Sequence, residues 1–391
     1  MDELMLFLFG FGLLIVFYTY IGYGVLIWML AKLKKKRSRI RDGDMPDVTL
    51  LIAAYNEADF IKEKIRDTLA LDYPEEKLSI YIVTDGSCDG TPDIIKRYPR
   101  IRVFHEPKRK GKIHAINRVM RFVETPVVVF SDANTYLNRE AIKNIVRHYA
   151  DPAVGGVSGE KRIFKKDTDN ASGAGEGLYW KYESFLKRKD SEVYSVVGAA
   201  GELFSIRTAL FEAPEENMII EDFYMSLAIT AKGYRFLYEP EAFAIETASV
   251  SVKEEWKRKV RICAGGFQAM AKLKQLLNPF KYGVLSFQYI SHRVLRWTAA
   301  PLSLPVMLVS NLWLAFSGGP FFAIILASQL IFYASALLGY TFRDKKLAIK
   351  GFFVPYYFCV MNLSVYAGYL RYRSGLQSAV WEKAERAPIT T

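Results

Sequence analysis

Three long stretches of this sequence carry no charged side chain. They cover residues 4–31, 297–342 and 351–370, and a Ser-Gly-Gly-Pro breaker divides the second stretch. A helix needs about 20 predominantly apolar residues to cross the hydrocarbon core of a bilayer. The sequence therefore predicts one membrane-spanning helix within residues 1–36 and about three more within residues 295–371.

The first stretch is too long for the apolar core of a signal peptide, which is the alternative interpretation of such an amino end. Its basic cluster also follows the apolar run instead of preceding it, at Lys32, Lys34, Lys35, Lys36 and Arg37. We expect an uncleaved helix. Because positive residues stay on the cytoplasmic side, the segment after this helix should be cytoplasmic. The chain would then be a multi-pass protein of the plasma membrane.

The basic loop that begins at Arg343 agrees with this orientation, since two spans return the chain to the cytoplasm. Arg371 and Arg373 would lie outside after a further span, so a re-entrant or interfacial position of residues 351–370 is the alternative. The formal net charge of +12 reflects these juxtamembrane clusters in part and indicates contact with membrane lipids. The basic residues form no continuous face with aromatic residues, which disfavours a nucleic-acid partner.

Residues 45–250 alternate short apolar runs with helical patterns. Strands are predicted over 48–53, 78–83, 101–104 and 127–131, and helices over 60–70 and 112–123. A further helix is predicted to begin at Pro92, with Thr91 as its N-cap residue. Strands that alternate with helices favour an α/β domain with a mostly parallel sheet that is covered on both faces.

A basic amphipathic stretch follows this domain over residues 251–274. Its composition is typical of a helix on a membrane surface, with Trp256 and its basic neighbours at headgroup level. We therefore expect interfacial helices over residues 251–294 and a tail over residues 372–391.

Polar clusters follow three of the predicted strands. They are Ala54-Tyr55-Asn56-Glu57, Asp85-Gly86-Ser87 and Asp132-Ala133-Asn134. In an open parallel sheet, ligands bind beyond the carboxyl ends of the strands. Three such clusters in one domain predict a shared binding site at that edge.

Several other kinds of site are disfavoured. Residues 85–90 resemble the start of a calcium loop, but Lys96 stands where a bidentate glutamate is needed. No G-x-G-x-x-G follows the first strand and no G-x-S-x-G occurs, which disfavours a dinucleotide-binding fold and a serine hydrolase. The three cysteines and four histidines have no disulfide-framework or metal-ligand spacing.

Six motifs occur in a characteristic order. They are Leu-Ile-Ala-Ala-Tyr-Asn-Glu (51–57), Asp-Gly-Ser-Cys-Asp-Gly-Thr (85–91), Lys-Ile-His-Ala-Ile-Asn (112–117), Ser-Asp-Ala-Asn (131–134), Gly201 to Arg207, and Glu221-Asp222. Together, over roughly residues 48–268, they resemble the family 2 glycosyltransferases. More narrowly, they resemble the cellulose-synthase-like branch, which has the GT-A fold.

The resemblance implies a nucleotide-sugar donor, with uridine diphosphate as the expected nucleotide. The residues implied to bind it are Ala54, Tyr55, Glu57, Asp85, Lys112 and Asp132. Glu57 and Asp85 would hold the nucleoside, with the Asp85 carboxylate accepting from the ring N–H of the base. Lys112 would meet the phosphates. A divalent ion, Mg²⁺ or Mn²⁺, held by Asp132 and the amide oxygen of Asn134 would bridge them.

The same resemblance makes Asp222 the general base. It would take the proton of an acceptor hydroxyl as that oxygen attacks the anomeric carbon opposite the leaving diphosphate. One such displacement inverts the anomeric configuration. Gly201 and Glu221 would lie on the acceptor and diphosphate side. Capping of a helix amino terminus is the purely structural alternative for Glu221 and Asp222.

The chain departs from the family pattern at the Gln-x-x-Arg-Trp motif. Its matching stretch begins at Arg258 and keeps Arg261, for which the family implies a role facing the diphosphate. Ile262 stands in the place of the tryptophan. The aromatic platform for a terminal acceptor sugar is therefore missing, which argues against processive synthesis.

Taken together, the sequence predicts a membrane-integrated, inverting glycosyltransferase that acts on a glycan or a lipid-linked glycan. A polyprenyl-phosphate sugar transferase is the alternative, and its anionic acceptor would need no general base. An inactive membrane-bound sensor of sugar nucleotides is a third hypothesis. The presence of both Asp132 and Asp222 disfavours it.

Overall fold

The computed structural model describes residues 1–34, 45–164, 171–247, 252–317, 319–342, 350–378 and 380. Residues 35–37 of the first basic cluster and the basic loop after Phe342 lie outside the described residues, as do the final eleven residues of the predicted tail.

The α-helices of these residues are, in chain order, α1 (Asp2–Phe17), α2 (Tyr23–Leu33), α3 (Ala58–Leu69), α4 (Thr91–Ile95), α5 (Lys112–Met120), α6 (Ala141–Val146), α7 (Ala171–Val193), α8 (Glu221–Ala231), α9 (Val252–Lys272), α10 (Pro279–Tyr282), α11 (Val284–Tyr289), α12 (Leu295–Trp297), α13 (Ala299–Ser317), α14 (Pro320–Thr341) and α15 (Lys350–Arg373). The strands are β1 (Val48–Ala54), β2 (Leu78–Asp85), β3 (Ile101–Glu106), β4 (Val127–Asp132), β5 (Tyr136–Leu137), β6 (Val154–Phe164), β7 (Leu203–Arg207) and β8 (Arg235–Thr247).

The described strands form one sheet in the order β3-β2-β1-β4-β7-β6-β8-β5. Its first four strands are parallel to one another, and β6 and β8 are also parallel. The β4–β7, β6–β7 and β5–β8 pairs are antiparallel. The predicted α/β domain with a mostly parallel sheet is therefore confirmed, with antiparallel pairs in its second half.

The central strands are buried on both faces, which explains their continuous apolar runs. In β1, Leu50 and Ile52 belong to a core cluster on one face of the sheet, together with Ile61 and Ile65 of α3. Leu51 belongs to the cluster on the opposite face, which includes side chains of α5 and α8. This packing fixes where β1 ends, and hence where the polar cluster after it begins.

The predicted helices and strands of this part are present, with shifts at their ends. The strands predicted to end at 83 and 104 continue to Asp85 and Glu106, and the helix predicted to reach residue 123 ends at Met120. Thr91 was expected to cap its helix, but Gly90 is the cap residue and Thr91 is the first residue of α4.

Three segments of the described chain are long and apolar enough to cross a membrane. They are Asp2–Leu33, Ala299–Ser317 and Pro320–Thr341. Of the three membrane spans predicted near the carboxyl end, two are long and apolar enough within the described residues. The remaining stretch is helical in α15, but Pro355, Asn362 and several tyrosines make it less apolar than α13 and α14.

Helices α9 and α15, which follow the sheet domain along the chain, pack against each other. An added Cβ at Gly368 of α15 would lie 2.5 Å from Cβ of Cys263 in α9, so the two helices are in close contact. The amphipathic stretch is helical as predicted, but Glu255 and Lys259 of α9 are 4% and 3% exposed. Part of its charged face is thus buried within the protein, and the headgroup position of Trp256 stays a prediction.

Candidate active site

The carboxyl ends of β1, β2 and β4 meet at one edge of the sheet, where their registers align. Ala54 is paired with Thr84 of β2, and Ala53 with Asp132 of β4. Beyond this edge lies a cavity of about 1140 Å³. Ten of the twelve predicted site residues line it, namely Tyr55, Glu57, Lys112, Asp132, Asn134, Gly201, Glu221, Asp222, Arg258 and Arg261.

Ala54 and Asp85, the other two predicted residues, lie outside the cavity lining. The side chain of Ala54 packs in the core. The carboxylate of Asp85 accepts hydrogen bonds from the backbone N–H of Lys110 at 3.0 Å and of Gly111 at 2.6 Å. Asp85 therefore anchors the loop that leads into α5. Its contact with a nucleobase stays a prediction.

The loop anchored by Asp85 also reaches the front of the cavity. The guanidinium of Arg109 lies 3.6 Å from the ring centroid of Tyr55, a cation–π contact. Gly86 has φ 72°, and a Cβ there would lie 2.5 Å from Cβ of Arg109. A side chain at position 86 would therefore be strained and would push this loop away.

The motif that resembles a calcium loop has a structural role here. The carboxylate of Asp89 accepts from the N–H of Ala58 at 2.9 Å, and the hydroxyl of Thr91 accepts from the N–H of Glu57 at 2.9 Å. Asn56 has φ 52°, and its N–H donates to Ser87 at 3.0 Å. The loop after β2 thus holds the start of α3 in place, which orients Glu57.

Lys112 is the cationic centre of the cavity. Its ammonium nitrogen lies 2.7 Å from Oδ1 of Asp132 and 2.9 Å from Oε1 of Glu221. Although burial opposes the shift, these two carboxylates raise the pKa of Lys112. The lysine therefore stays charged and connects the end of β4 to the start of α8.

The segment that carries Asp132 is supported from below by a buried lysine that the sequence analysis did not identify. Lys64 of α3 is fully buried and donates to Oγ of Ser131 at 2.9 Å and to the carbonyl of Thr135 at 2.7 Å. Burial lowers its pKa to about 8. Lys64 fixes the turn in which Asp132 and Asn134 stand.

Glu221 and Asp222 are neighbours with opposite pKa shifts. Burial works against ionisation of Glu221, but the Lys112 ammonium outweighs it and lowers the pKa of this acid. Burial and the charge of Glu221 raise the pKa of Asp222 to about 7. Gly201 lies directly against Asp222, since an added Cβ would lie 3.0 Å from its Oδ2. A carboxyl group with such a pKa can exchange a proton near neutral pH.

Helix α9 contributes two arginines to the cavity wall. Arg258 is paired with Glu255 at 3.0 Å. Arg261 is half-buried near Glu221, Asp222 and Asp132, and loss of solvent lowers its pKa. Within the described residues, no carboxylate lies within ion-pair distance of Arg261. Its charge is available to an anionic ligand.

The orientation of α9 depends on a glutamine near its carboxyl end. The amide of Gln268 accepts from the N–H of Ile219 and donates to the carbonyl of Asn217, both at 3.0 Å. These contacts tie α9 to the segment just before Glu221 and Asp222. Arg261 is thereby held at a set distance from the two acids.

The side-chain oxygens of Asp132 and Asn134 would suit a metal ion that takes its other ligands from a bound diphosphate. Among the described residues no group of three or more histidine, cysteine or acidic side chains is placed to hold a metal alone. At this end of the cavity two cations, Lys112 and Arg261, face three acids. A diphosphate would add further negative charge. One carboxylate and one amide oxygen, from Asp132 and Asn134, match the few protein ligands of a magnesium ion that binds phosphates.

Helix α7 supplies cavity residues that the sequence analysis missed. Trp180, Glu183 and Lys187 all line the cavity. Glu183 and Lys187 are 1% and 5% exposed. Charged residues at such spacing are typical of a solvated helix face, so the sequence held no signal for their burial. Lys161 of β6 also lies in this region and is paired with Glu202 at 2.6 Å and with Glu246.

Comparison with known proteins agrees with this geometry. Residues 49–213 match the family model of glycosyl transferase family 2. Over 247 residues the chain is 27% identical to a poly-β-1,6-N-acetyl-D-glucosamine synthase of Staphylococcus aureus, covering 61% of this chain and 58% of the synthase. The synthase of Staphylococcus epidermidis is also 27% identical, over 236 residues that cover 58% of this chain and 56% of that protein. The chain thus matches less than two thirds of the length of these relatives.

A solved structure extends the likeness over nearly the whole chain. It is a mannosyltransferase from Pyrobaculum calidifontis in complex with GDP-Man and Mn²⁺, with a TM-score of 0.71 and 23% identity. The alignment covers 94% of this chain and 99% of the mannosyltransferase. At this identity the likeness establishes the fold. The resemblance inferred from the motifs is confirmed over residues 49–213, which match the family 2 glycosyltransferase model, and the fold is the GT-A fold.

Proposed function

We propose that the protein is a membrane-embedded, inverting glycosyltransferase that moves a sugar from a nucleotide donor to a hydroxyl of a glycan or lipid-linked glycan. The observation that carries the proposal is the position of Asp222. This acid, the Lys112–Asp132–Glu221 cluster and Arg261, which has no ion-pair partner among the described residues, line one cavity. The cavity continues to residues of α1–α2 and α15, including Tyr20, Tyr357 and Phe358.

The donor would lie with its diphosphate between Lys112 and Arg261. A divalent ion bound by Asp132 and Asn134 would supply positive charge for the leaving diphosphate. The structural relative that binds GDP-Man and Mn²⁺ supports a metal-dependent reaction with a nucleotide sugar. The uridine nucleotide predicted from the sequence and the guanosine nucleotide of this relative both belong in the first assay.

In the proposed reaction, the Asp222 carboxylate accepts the proton of the acceptor hydroxyl. The acceptor oxygen forms a bond to the anomeric carbon while the bond from that carbon to the diphosphate oxygen breaks. The nucleoside diphosphate leaves on the opposite side, so the anomeric configuration inverts. The charge of Arg261 stabilises the diphosphate as its negative charge grows.

The biosynthesis of a polysaccharide or glycoconjugate is the process that this proposal implies. The staphylococcal relatives are polysaccharide synthases by name, which supports such a setting. With the basic clusters on the inner side, the catalytic domain would face the cytoplasm of a plasma-membrane protein.

The proposal is tested with the detergent-solubilised, full-length protein and a panel of UDP- and GDP-linked sugars. We expect one or a few donors to give a free nucleoside diphosphate together with a glycosylated product. The size of the product then distinguishes single transfer from processive synthesis. Asp132→Ala is the matched inactive control. The absence of diphosphate release above this control, with every donor and with added membrane lipid extract, would reject the proposal.

A further inference from the structure

The proposed reaction assigns no role to Lys187, a buried lysine in the cavity wall. It lies on α7 and is 5% exposed. Within the part of the chain that the structure describes, no hydrogen-bond or ion-pair partner lies beside its ammonium group. Lys112 in the same wall is paired with two carboxylates, and so is Lys161, whose partners Glu202 and Glu246 line the cavity. An unpaired buried cation is destabilising, so its presence points to a ligand that completes it.

The charges near Lys187 place it on the side of the cavity that holds Asp222. The carboxylates that interact with its charge are those of Glu183, Glu202 and Asp222. Two of them already have partners: Glu183 accepts from Arg293 and Arg296, and Glu202 accepts from Lys161. Asp222 is the remaining one, and its proposed partner is the acceptor hydroxyl. Lys187 therefore lies near the position where the acceptor would bind.

Helix α7 also brings aromatic side chains to this region. Tyr179, Trp180 and Tyr182 line the same cavity. Trp180 and Lys187 are about two helical turns apart, so both lie on the cavity face of α7. Helix α9 offers Ile262 where the family pattern has a tryptophan. The aromatic residue that could contact an acceptor sugar thus comes from α7.

We infer that α7 forms the acceptor-binding wall of the cavity. The Lys187 ammonium donates hydrogen bonds to hydroxyl oxygens of a glycan acceptor, and Trp180 contacts the sugar ring. The bound sugar then spans from Lys187 to Asp222, which brings its reactive hydroxyl to the base. Lys187 is a positioning residue in this arrangement. The inference rests on the proposed function and adds the residues that select the acceptor.

The test measures donor and acceptor affinity separately in the full-length protein. The acceptor probes are octyl N-acetyl-β-D-glucosaminide and octyl α-D-mannoside. Lys187→Met keeps the apolar stem and removes the charge, and we expect it to raise the acceptor KM about ten-fold or more. The donor KM should change by no more than about two-fold. Lys187→Arg should recover part of the acceptor affinity, and Trp180→Leu should weaken it.

Lys181→Met is the matched control, because Lys181 lies on the same helix and is exposed. It should leave both KM values unchanged. If Lys187→Met keeps the wild-type acceptor KM, the inference is wrong while the proposed function stands. An equal loss of donor and acceptor affinity, accompanied by a lower Tm, would mean a structural role for Lys187 and would also overturn it.

Binding calorimetry with the two octyl glycosides covers the case in which the wild type uses neither probe as an acceptor. The inference is supported if the octyl glycosides bind more weakly to Lys187→Met than to either the wild type or Lys181→Met. Equal binding to all three, or no binding to the wild type, rejects it. Failure of the proposed function has a different signature, which is the absence of nucleoside diphosphate release with every donor.

Discussion

Glu221 and Asp222 are adjacent acids that differ in their partners and in the direction of their pKa shifts. Glu221 is 7% exposed and pairs with Lys112, which keeps it ionised. Asp222 is half-buried and has no direct cationic partner among the described residues, so loss of solvent and the charge of Glu221 raise its pKa. A pair of carboxyl groups with divergent pKa values separates a structural anion from a proton acceptor. This supports Asp222 as the base and limits Glu221 to holding Lys112.

Replacing Asp222 by asparagine should remove proton acceptance and keep the shape of the site. We expect kcat to fall by about 10² or more while donor affinity changes only a few-fold, because the loss falls on the transition state. The folded-state pKa of Asp222 lies above its unfolded value. Ionisation of this group therefore lowers stability as pH rises from about 4 to 7. Asp222→Asn should accordingly have an equal or higher Tm at pH 8.

Near-normal transfer by a folded Asp222→Asn protein would point to an acceptor that is already an anion. The polyprenyl-phosphate reaction would then replace the proposed one. Glu221→Gln serves as the comparison, since it frees Lys112 without removing the base. It should weaken donor binding more than it changes kcat.

The pH dependence of turnover follows from the same acid. Because a general base works in its ionised form and the pKa of Asp222 is raised to about 7, kcat should increase with pH, be half-maximal near pH 7 and level off about one pH unit above that. The residual activity of Asp222→Asn should lack this rise. A wild-type kcat that is constant from pH 5 to 8 would contradict the assignment.

Asp132 and Asn134 are the basis of a prediction about metal dependence. If they hold a divalent ion together with the donor diphosphate, chelation should abolish transfer and Mg²⁺ or Mn²⁺ should restore it. Asp132→Ala should be inactive. Asn134→Asp adds a carboxylate ligand and should keep activity at a lower metal concentration. Full activity in excess chelator would remove the metal from the mechanism.

The loops at the sheet edge act as connected elements. Asp85 at the end of β2 accepts hydrogen bonds from the backbone N–H groups of Lys110 and Gly111. These bonds fix the amino end of α5, whose first residue is Lys112. Arg109 in the same loop covers the ring of Tyr55. A substitution of Asp85 should therefore displace both Arg109, which contacts Tyr55, and Lys112, and so weaken binding of the proposed donor.

Asp85→Ala tests that connection. With its anchor removed, the loop around residues 107–111 should lose its position, and we expect the donor KM to increase about ten-fold or more. The acceptor KM and the pH dependence of kcat should remain as in the wild type, because Asp222 stands on a different element. Asp93→Ala is the control, because Asp93 is an exposed acid on α4 that pairs only with Lys96 among the described residues, and it should leave the donor KM unchanged. Unchanged donor affinity in Asp85→Ala would exclude this anchoring role.

Strands β1–β4 of the eight-stranded sheet could be predicted from the sequence, whereas β5–β8 and the proposed acceptor side could not. Residues such as Leu50 and Ile52 lie in strands that are buried on both faces, and the run itself signals that burial. Helix α7 was not predicted, because Glu183 and Asp190 resemble solvent-exposed charges along the chain. Their partners, Arg293 and His292, are more than 100 residues away. Such pairing exists only after the tertiary structure has formed.

At the scale of the molecule, buried polar contacts join the membrane segments to the catalytic domain. Tyr23 in the first apolar segment donates to Asp190 of α7, which also accepts from the His292 ring at 2.6 Å. Glu183, which lies about two helical turns before Asp190 on α7, accepts hydrogen bonds from Arg293 and Arg296. Breaking one partner of such a buried set is strongly destabilising. The domain that holds the cavity and the first apolar segment therefore belong to one cooperative structure.

That arrangement makes the orientation of the membrane segments testable with the whole protein. The positive-inside rule places the basic residues after the first and third apolar segments in the cytoplasm. Single cysteines at Lys35 and Lys345, in a background without Cys88, Cys263 and Cys359, should resist a membrane-impermeant thiol reagent in intact cells. A cysteine at Ser317, at the exposed end of α13, should be labelled and shows that the reagent reaches the outer face. Labelling at Lys345 but not at Lys35 would mean that α13 and α14 do not both cross the membrane, and labelling at both would place the glycosyltransferase domain outside.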